Sequence, residues 1–392
     1  MAYRIKVLNS IAPEGLKVFD ADFAVSADEK DPEGLLVRSA TVDTDQFASL
    51  LAVARAGAGV NNISVGKATE KGVCVLNTPG ANANAVKELV FVMLGMFARN
   101  ILKGLSFCRD LTQLTDKELE EKIEKGKSAY RGFEIARKVL GVLGLGKIGT
   151  LVANGGVERG MHVIGFDPHP VLKNIHQLSP QAVCADTSYE VVSKADILTL
   201  HMPLSDATRG MVNREFLKPF KKGGVLVNFS RGAICNEDDI VAALDEGKLS
   251  AYITDFPTAR LMQHERVLCT PHLGASTEES EENCAIMACN ELRAYLRLGH
   301  VTHSVNFPTV ESPPDRSFTN RLIVINRDVP KMIGWISQTL GEHGLNIESY
   351  RNESNGKIGY NIIDLRSDVP AALAEKIGGN PNVVRTRVIK LA

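Results

Sequence analysis

The chain contains 392 residues, 44% of which are hydrophobic, and its formal net charge is −1. This length predicts two or three domains with substantial cores. The balanced charge argues against broad electrostatic attraction to nucleic acid or to an anionic membrane. The seven cysteines form no CxxC pair and no metal-ligand spacing, so we expect no metal site and a reducing, cytoplasmic location. The longest apolar run, residues 89–98, is too short to span a bilayer.

Residues 1–100 alternate short apolar runs with helical stretches. The runs at 5–8, 34–37, 50–54 and 73–77 predict strands, and residues 84–100 have helical periodicity with few breakers. Such alternation is typical of an α/β domain with a parallel sheet.

Residues 104–131 have a different character. Asp116 begins a highly charged helical stretch with Leu119 and Ile123 on one face. We expect this helix to be solvated along most of its surface, with a thin apolar seam.

A glycine motif follows the next predicted strand, residues 139–143. The strand leads into Gly144-x-Gly146-x-x-Gly149 and a predicted helix, and a second apolar run ends at Asp167. This is the order of a dinucleotide-binding βαβ unit, in which the three glycines permit a tight turn, close approach to a pyrophosphate, and helix–strand packing. The diphosphate would lie at the helix N-terminus. Glycine-rich turns without a ligand also occur, but the joint features predict a nucleotide site, and Asp167 favours NAD over NADP.

Polar clusters follow three later predicted strands of the same series, around Ser230, Asp255 and His272. In an open parallel sheet, the loops at the carboxyl ends of the strands surround the cofactor crevice. Arg231 would hold an α-carboxylate and polarise the neighbouring C2 oxygen. His272 would take the hydroxyl proton as hydride leaves C2, because imidazole exchanges protons near neutral pH. A lone histidine after Thr-Pro is more often a capping or surface residue, but its combination with Arg231 and the glycine motif favours catalysis.

The last third of the chain contains one long predicted helix, at 278–300, and a proline-rich linker that runs to residue 314. Residues 318–392 then follow the order strand–helix–strand–strand–helix–strand. This order predicts a ferredoxin-like βαββαβ module, which at this size can fold alone.

Taken together, these motifs resemble the D-isomer-specific 2-hydroxyacid dehydrogenase family, and most closely its 3-phosphoglycerate dehydrogenases with a C-terminal ACT regulatory domain. The resemblance covers nearly the whole chain. It rests on Val37-Arg38-Ser39-Ala40-Thr41, Arg55-Ala56-Gly57-Ala58-Gly59-Val60-Asn61-Asn62, Asn77-Thr78-Pro79, Gly144-Leu145-Gly146-Lys147-Ile148-Gly149, Ser230-Arg231-Gly232, Pro271-His272-Leu273-Gly274-Ala275-Ser276-Thr277 and Ser304-Val305-Asn306-Phe307-Pro308.

The resemblance implies an α/β fold with two Rossmann-like, doubly wound parallel-sheet domains and a ferredoxin-like ACT domain. The substrate domain would be discontinuous, at 1–100 and 279–308. The NAD-binding domain would occupy 101–278, including the charged insertion 104–131, and the ACT-like regulatory domain 317–392.

The resemblance also implies roles for individual residues. Arg231 and His272 match the catalytic arginine and the acid/base histidine. Arg38, Ser39 and Asn82 match positions that hold the phosphate end of the substrate, for which the arginine fork is well suited. Ala58 and Gly59 would offer backbone N–H groups to the substrate carboxylate. Cofactor positions match Gly144, Gly146, Lys147, Ile148, Gly149, Asp167, Phe229, Ser230, Asp255, Gly274 and Ala275, with Asp255 expected to bind the nicotinamide amide.

One departure from the family concerns the partner of the histidine. The family pairs this histidine with a glutamate that orients the ring, and the matching position here is Ala259 or Arg260. Glu265 is the nearest downstream acid, but no motif supports it. Losing such an acid can cost orders of magnitude in rate without abolishing proton transfer.

These assignments predict NAD-dependent oxidation of 3-phospho-D-glycerate to 3-phosphooxypyruvate, the first step of serine biosynthesis. Two alternatives stay open. A glyoxylate or hydroxypyruvate reductase of the same family would not need Arg38, and a non-catalytic NAD-responsive regulatory protein would tolerate the missing glutamate.

The C-terminal module also contains residues that could bind an effector. Asn326, Asp328 and Asn346 resemble the polar groups that bind serine in related enzymes, which predicts L-serine as an effector. Lys331, however, replaces the glycine that usually follows the proline at Pro330 and would crowd that pocket. An oligomerisation module is the alternative, and we expect a homodimer or homotetramer without nucleic-acid or membrane partners.

Overall fold

Five parallel strands form the N-terminal sheet of the computed structural model, which describes residues 2–391. The strands are β1 (Tyr3–Val7), β2 (Phe23–Ser26), β3 (Gly34–Val37), β4 (Ala52–Arg55) and β5 (Cys74–Leu76), and their spatial order is β2-β1-β3-β4-β5. The short helices α1 (Pro13–Leu16) and α2 (Val65–Glu70) belong to the connections. The alternation predicted for this part of the chain is therefore confirmed.

A second parallel sheet carries the glycine motif, and it has seven strands. They are β6 (Val139–Leu143), β7 (His162–Phe166), β8 (Val183–Cys184), β9 (Ile197–Leu200), β10 (Gly224–Asn228), β11 (Leu249–Thr254) and β12 (Val267–Cys269), in the spatial order β12-β11-β10-β9-β6-β7-β8. Val142 and Leu143, adjacent on β6, enter separate apolar clusters. Helices therefore cover both faces, as in other doubly wound sheets.

Nine helices of the described chain lie between Ala83 and Thr277. They are α3 (Ala83–Ala98), α4 (Ile101–Arg109), α5 (Asp116–Gly126), α6 (Lys147–Glu158), α7 (Leu172–Ile175), α8 (Ser188–Lys194), α9 (Arg214–Leu217), α10 (Glu237–Asp245) and α11 (Ala259–Gln263). Helix α5 is the predicted charged helix. Its first turn is fixed by a capping box between Thr115 and Glu118, and its Leu119 and Ile123 are half-buried.

The C-terminal segment forms a four-stranded antiparallel sheet that follows the long helix α12 (Glu278–Leu298). Its elements are β13 (Asn320–Arg327), α13 (Met332–Glu342), β14 (Ser349–Ser354), β15 (Ile358–Leu365), α14 (Ala371–Gly378) and β16 (Val383–Lys390). The spatial order is β14-β15-β13-β16. The predicted β–α–β–β–α–β order is confirmed.

This C-terminal sheet is buried on both faces. One face packs on α13 and α14 through Leu322, Ile336 and Ile363. The other face contributes Tyr360 and Ile362 to the apolar cluster that also contains residues of α12 and the five-stranded sheet. The module was expected to be able to fold alone, but it shares a core with the N-terminal sheet.

A buried ion pair helps to hold the C-terminal sheet against the end of α12. Arg321 and Asp364 are both fully buried, and Arg321 Nε lies 2.6 Å from Asp364 Oδ1. Arg321 also donates to the carbonyl oxygens of Leu298 and Ser312, at 2.7 and 2.5 Å. Breaking one partner of such a pair is strongly destabilising, because it leaves a buried charge without compensation.

The chain divides into two units, one formed by residues 2–82 with 278–391 and the other by residues 83–277. Helix α3 packs in the second unit, where Val90 and Leu94 meet Leu140 and Val152 of the seven-stranded sheet and α6. The expected substrate domain, at 1–100 and 279–308, includes this helix, because that division follows from the family resemblance. The domain boundaries themselves stay predictions.

No single helix within residues 2–391 is long and apolar enough to cross a bilayer. Helices α3 and α4 are together long and apolar enough by length and composition, but they are bent by 60° relative to each other.

Candidate active site

The glycine motif forms the turn between β6 and α6. Gly144 has φ +93°, and a Cβ there would lie 2.5 Å from the carbonyl oxygen of His201. A Cβ on Gly149 would overlap the carbonyl oxygen of Gly144, whereas a Cβ on Gly146 would meet no atom within 4 Å. The first and third glycines are therefore needed for the turn itself, and the second faces open space.

Helix α6 begins at this open space. Gly146 is its N-cap residue and provides no side-chain cap, and Lys147 and Ile148 form the first turn. Helix N-termini leave backbone N–H groups without intrahelical partners and attract anions. These residues therefore fit the diphosphate of a dinucleotide.

Asp167 lies directly after β7, beside the glycine turn. Its Oδ2 accepts the N–H of Leu145 at 2.8 Å, and its Oδ1 accepts the N–H of His169 at 2.9 Å. Each carboxylate oxygen can accept a further hydrogen bond. Asp167 is thus held where ribose hydroxyls could bind, and its charge disfavours a 2′-phosphate.

The loop after β10 contains the predicted cofactor residues Phe229 and Ser230, both of which are buried. The Ser230 hydroxyl donates to the carbonyl oxygen of Leu200, and its N–H donates to Asn228 Oδ1 at 3.1 Å. Ser230 therefore attaches this loop to β9.

Asp255 follows β11 and is 1% exposed. Its Oδ2 accepts the N–H of Gly274 at 3.0 Å, whereas its Oδ1 is buried and has no hydrogen-bond partner among the residues that the structure describes. An unsatisfied buried acceptor is costly, and the amide N–H of a nicotinamide would satisfy it. Gly274 fits closely here, since a Cβ would lie 3.1 Å from Asp255 Oδ2, and Ala275 next to it is half-buried.

Arg231 and His272 lie near this carboxylate. Burial raises the pKa of Asp255, and the Gly274 N–H, His272 and Arg231 oppose that rise. Arg231 is exposed and donates to the carbonyl oxygen of Ser230 at 2.6 Å. The structure therefore brings the two predicted catalytic residues and the predicted nicotinamide-binding acid to one end of the sheet.

His272 has an unusual backbone conformation, with φ +46°. Its N–H donates to the carbonyl oxygens of Asp255 and Thr270, both at 3.0 Å, and its ring lies 4.9 Å from that of Phe256. Residues other than glycine in the left-handed region are uncommon and are found at functional sites when their surroundings enforce them.

A cavity of about 460 Å³ adjoins His272. Glu237, at the start of α10, and Asp255 are the carboxylates in its lining, and Tyr252, Phe256 and Leu261 supply apolar walls.

The positions expected to carry the missing glutamate do not line this cavity. Ala259 begins α11, Arg260 pairs with Asp238, and Glu265 lies 3.9 Å from Arg266. Glu237, which shares the cavity lining with His272, was not assigned from the sequence. Its local pattern is a place at the start of α10.

The predicted phosphate-binding residues Arg38 and Ser39 belong to the first unit, in the loop after β3. Asn9 Oδ1 orders this loop by accepting the backbone N–H groups of Arg38, Ser39 and Ala40 at 3.3, 3.2 and 2.8 Å. The Arg38 side chain pairs with Glu281 of α12, with Nη1 and Oε2 2.6 Å apart.

Arg55, which sequence reasoning did not assign, joins this loop to the next one. Its Nε donates to the carbonyl oxygen of Arg38 at 3.0 Å, and its Nη1 donates to that of Gly59. The Ala58 carbonyl oxygen accepts from Asn77 at 2.5 Å, so the backbone around the predicted carboxylate site is well fixed.

Asn82, the remaining predicted substrate residue, follows β5. Its Oδ1 is buried and has no hydrogen-bond partner among residues 2–391, so it is open to a donor that this structure does not supply.

The three predicted effector residues make separate contacts. Asn326 is buried and accepts from Asn361 at 2.7 Å, Asp328 accepts from Ser354 at 2.5 Å, and Asn346 donates to Glu348 at 3.0 Å. Lys331 has φ +74°, which explains why a glycine suits that position. These contacts provide no support for a shared serine pocket.

Comparison with known proteins places these residues in a family. Residues 102–274 match the model of the D-isomer specific 2-hydroxyacid dehydrogenase NAD binding domain. The hydroxypyruvate reductase of Thermotoga maritima is 36% identical over 265 residues, which cover 64% of this chain and 81% of that protein. The chain belongs to the D-isomer-specific 2-hydroxyacid dehydrogenases. The prediction of NAD as the cofactor is thereby confirmed.

Two further relatives carry the phosphoglycerate dehydrogenase name. D-3-phosphoglycerate dehydrogenase 2 of Arabidopsis thaliana is 33% identical over 334 residues, which cover 81% of this chain and 50% of that protein. The NAD+-bound 3-phosphoglycerate dehydrogenase of Entamoeba histolytica has a TM-score of 0.62 and 26% identity, covering 78% of this chain and 99% of that one. The chain spans about half the length of several curated phosphoglycerate dehydrogenases that it matches.

Proposed function

We propose that this protein is an NAD-dependent dehydrogenase that oxidises 3-phospho-D-glycerate at C2 to 3-phosphooxypyruvate. The observation that carries the proposal is the position of Arg231 and His272 beside the unsatisfied carboxylate of Asp255. An arginine, a histidine and a nicotinamide-binding acid are the groups that oxidation of a 2-hydroxyacid requires. Relatives named phosphoglycerate dehydrogenase support the choice of substrate.

The chemistry divides between Arg231 and His272. Bound NAD supplies the acceptor for the C2 hydride. Arg231 pairs with the substrate carboxylate and stabilises negative charge on the C2 oxygen, while His272 accepts the hydroxyl proton on a ring nitrogen. Proton transfer to a positioned base contributes typically 10²–10⁴-fold to a rate.

The backbone of His272 places its ring without a family-type glutamate. Two N–H···O bonds and the Phe256 ring hold the residue in its left-handed conformation. We assign the remaining orienting charge to Glu237, which lines the same cavity. A carboxylate there would fix the orientation of the ring for proton transfer, as in other His–carboxylate pairs.

Recognition of the phosphate, and a share in binding the carboxylate together with Arg231, is assigned to residues of the first unit. Arg38 and Ser39 would bind the phosphate, and the N–H groups of Ala58 and Gly59 would bind the carboxylate. Asn9 and Arg55 support this assignment because they fix both loops.

The test compares three substrates by formation of NADH. The purified chain should oxidise 3-phospho-D-glycerate faster than D-glycerate or D-lactate. Arg38→Ala should raise KM for the phosphorylated acid by about 10- to 100-fold, the effect of losing hydrogen bonds to a charged group. Equal rates on all three acids would contradict the phosphate assignment, and lack of NAD binding would contradict the cofactor site.

A hydroxypyruvate reductase is the second candidate, and the Glu281–Arg38 pair favours it. Glu281 already neutralises the Arg38 guanidinium within the protein. This suits an unphosphorylated acid, which needs no free guanidinium for a phosphate. Reduction of hydroxypyruvate by NADH should then be fast, and Arg38→Ala should not impair it. Undetectable turnover by concentrated protein that binds NAD would instead support the NAD-responsive regulatory protein.

For the C-terminal module we propose an ACT-like role, supported by its strand order. L-serine as an effector, a homodimer or homotetramer, and a cytoplasmic location stay predictions. Initial rates with and without L-serine test the first, and light scattering tests the second.

A further inference from the structure

The Arg38–Glu281 pair lies within reach of a ligand. The Arg38 side chain is 36% exposed and that of Glu281 is 43% exposed. Glu281 is the only ion-pair partner of Arg38 within 4 Å among residues 2–391. The main chain of Arg38 is held separately, by Asn9 and Arg55, so the guanidinium can exchange partners without disturbing the loop.

Glu281 belongs to an acidic helix start. Helix α12 begins at Glu278, and Glu279, Glu281 and Glu282 follow within its first five residues. Carboxylates are favourable near a helix N-terminus, so Glu281 is stable there when ionised. The Glu281 carboxylate, which contacts Arg38, also repels a phosphate dianion that approaches the guanidinium.

From this geometry we propose that Glu281 competes with the substrate's phosphate for Arg38 and thereby sets the preference between phosphorylated and unphosphorylated 2-hydroxyacids. The inference rests on the proposed function, because it takes Arg38 as the residue that meets the far end of the substrate. A phosphorylated acid must displace the Glu281 carboxylate, whereas an unphosphorylated acid leaves the pair intact. Neutralising Glu281 therefore frees the guanidinium fork and removes a repelling charge.

The expected change is moderate because the pair is partly exposed. Exposed ion pairs contribute up to ~1 kcal/mol, which corresponds to roughly fivefold in affinity. We expect Glu281→Gln to raise the ratio of kcat/KM for 3-phospho-D-glycerate over D-glycerate by about two- to tenfold. The change should appear in KM for the phosphorylated acid.

Glu279→Gln is the matched control, because Glu279 is exposed on the same helix and has no ion pair within 4 Å in the described part of the chain. It should leave the ratio unchanged. In an Arg38→Ala background, Glu281→Gln should also lose its effect, since the competition requires the guanidinium. Thermal unfolding of each variant checks that the fold is retained.

Inorganic phosphate, as a competitive inhibitor of unphosphorylated acid turnover, separates this inference from the proposed function. If the native chain does not oxidise 3-phospho-D-glycerate, but phosphate inhibits Glu281→Gln more strongly than the native chain, the proposed substrate fails and the inference stands. If the native chain prefers the phosphorylated acid and Glu281→Gln changes neither the ratio nor the inhibition, the inference is overturned and the proposed function stands. An equal rise of the kcat/KM ratio in Glu279→Gln would also overturn the inference. The effect would then come from the overall negative charge of the helix start and not from the pair with Arg38.

Discussion

Two alanine substitutions in the glycine turn separate cofactor binding from folding. A Cβ at Gly146 meets open space, and its φ of −70° suits any residue. A Cβ at Gly149 overlaps the carbonyl oxygen of Gly144, a backbone atom that cannot turn aside. Gly146→Ala should therefore leave the folded chain intact, whereas Gly149→Ala should disturb it.

The two substitutions should change the free energy of unfolding in opposite directions. Gly146→Ala should raise the free energy of unfolding slightly, by about 0.4–1 kcal/mol, because alanine restricts the unfolded chain. Gly149→Ala should lower it by about 1–3 kcal/mol, the usual cost of overpacking. For NAD, the methyl group of Gly146→Ala would hold the diphosphate away from the N–H groups of α6. Losing one hydrogen bond to a charged group costs about 1.5–3 kcal/mol, or roughly 10- to 100-fold in affinity.

The assay combines NAD titration by calorimetry with thermal unfolding of the native chain and both variants. The expected pattern is weakened NAD binding without loss of stability in Gly146→Ala, and loss of both in Gly149→Ala. Tight NAD binding by a stable Gly146→Ala variant would refute the reasoning, because the diphosphate could not then lie against that residue.

Three further predictions concern other positions. Glu237→Gln should lower kcat by about tenfold or more, because the carboxylate that we assign to orient His272 is removed. Asp238→Asn, at the neighbouring exposed position, should not lower it. Lys331→Gly should raise the melting temperature, since a left-handed residue costs roughly 1–2 kcal/mol that glycine avoids, and Lys331→Ala should bring no gain. Burial lowers the pKa of His201 to about 3, while the unfolded chain takes up that proton near pH 6.5. Between pH 6.5 and about 3, His201 should therefore contribute a fall in stability of about 1.4 kcal/mol per pH unit as the pH is lowered. Urea unfolding of His201→Gln should show a shallower fall.

Local patterns were sufficient for the parallel sheets and the nucleotide turn. The strands β3 and β6 are short apolar runs followed by polar or glycine-rich loops, and parallel sheets follow from that alternation. The glycine spacing and Asp167 are likewise fixed within one βαβ unit, so the position of Asp167 beside the glycine turn could be expected from the sequence.

Contacts between distant segments could not be expected in this way. Glu281 meets Arg38 across 243 positions, and no local pattern relates the two. The sequence gives only a weak indication that both faces of the C-terminal sheet are buried. Most residues of β15 (Ile358–Leu365) are apolar, but Asn361 and Asp364 interrupt that pattern. The backbone of His272 is set by tertiary hydrogen bonds, which sequence spacing does not encode.

Under the proposed function, selectivity and catalysis depend on residues of different units. Arg231, His272 and Asp255 lie in the second unit and would serve the C2 oxidation that every 2-hydroxyacid substrate shares. Arg38 and Glu281 lie in the first unit, where a substituent beyond C2 would be recognised. Changes to that pair should therefore alter the ratio of KM values between substrates, whereas changes at the carboxyl end of the seven-stranded sheet should lower kcat for all of them. A substitution of Glu281 that lowered kcat equally for every acid would show that the two roles are not separated in this chain.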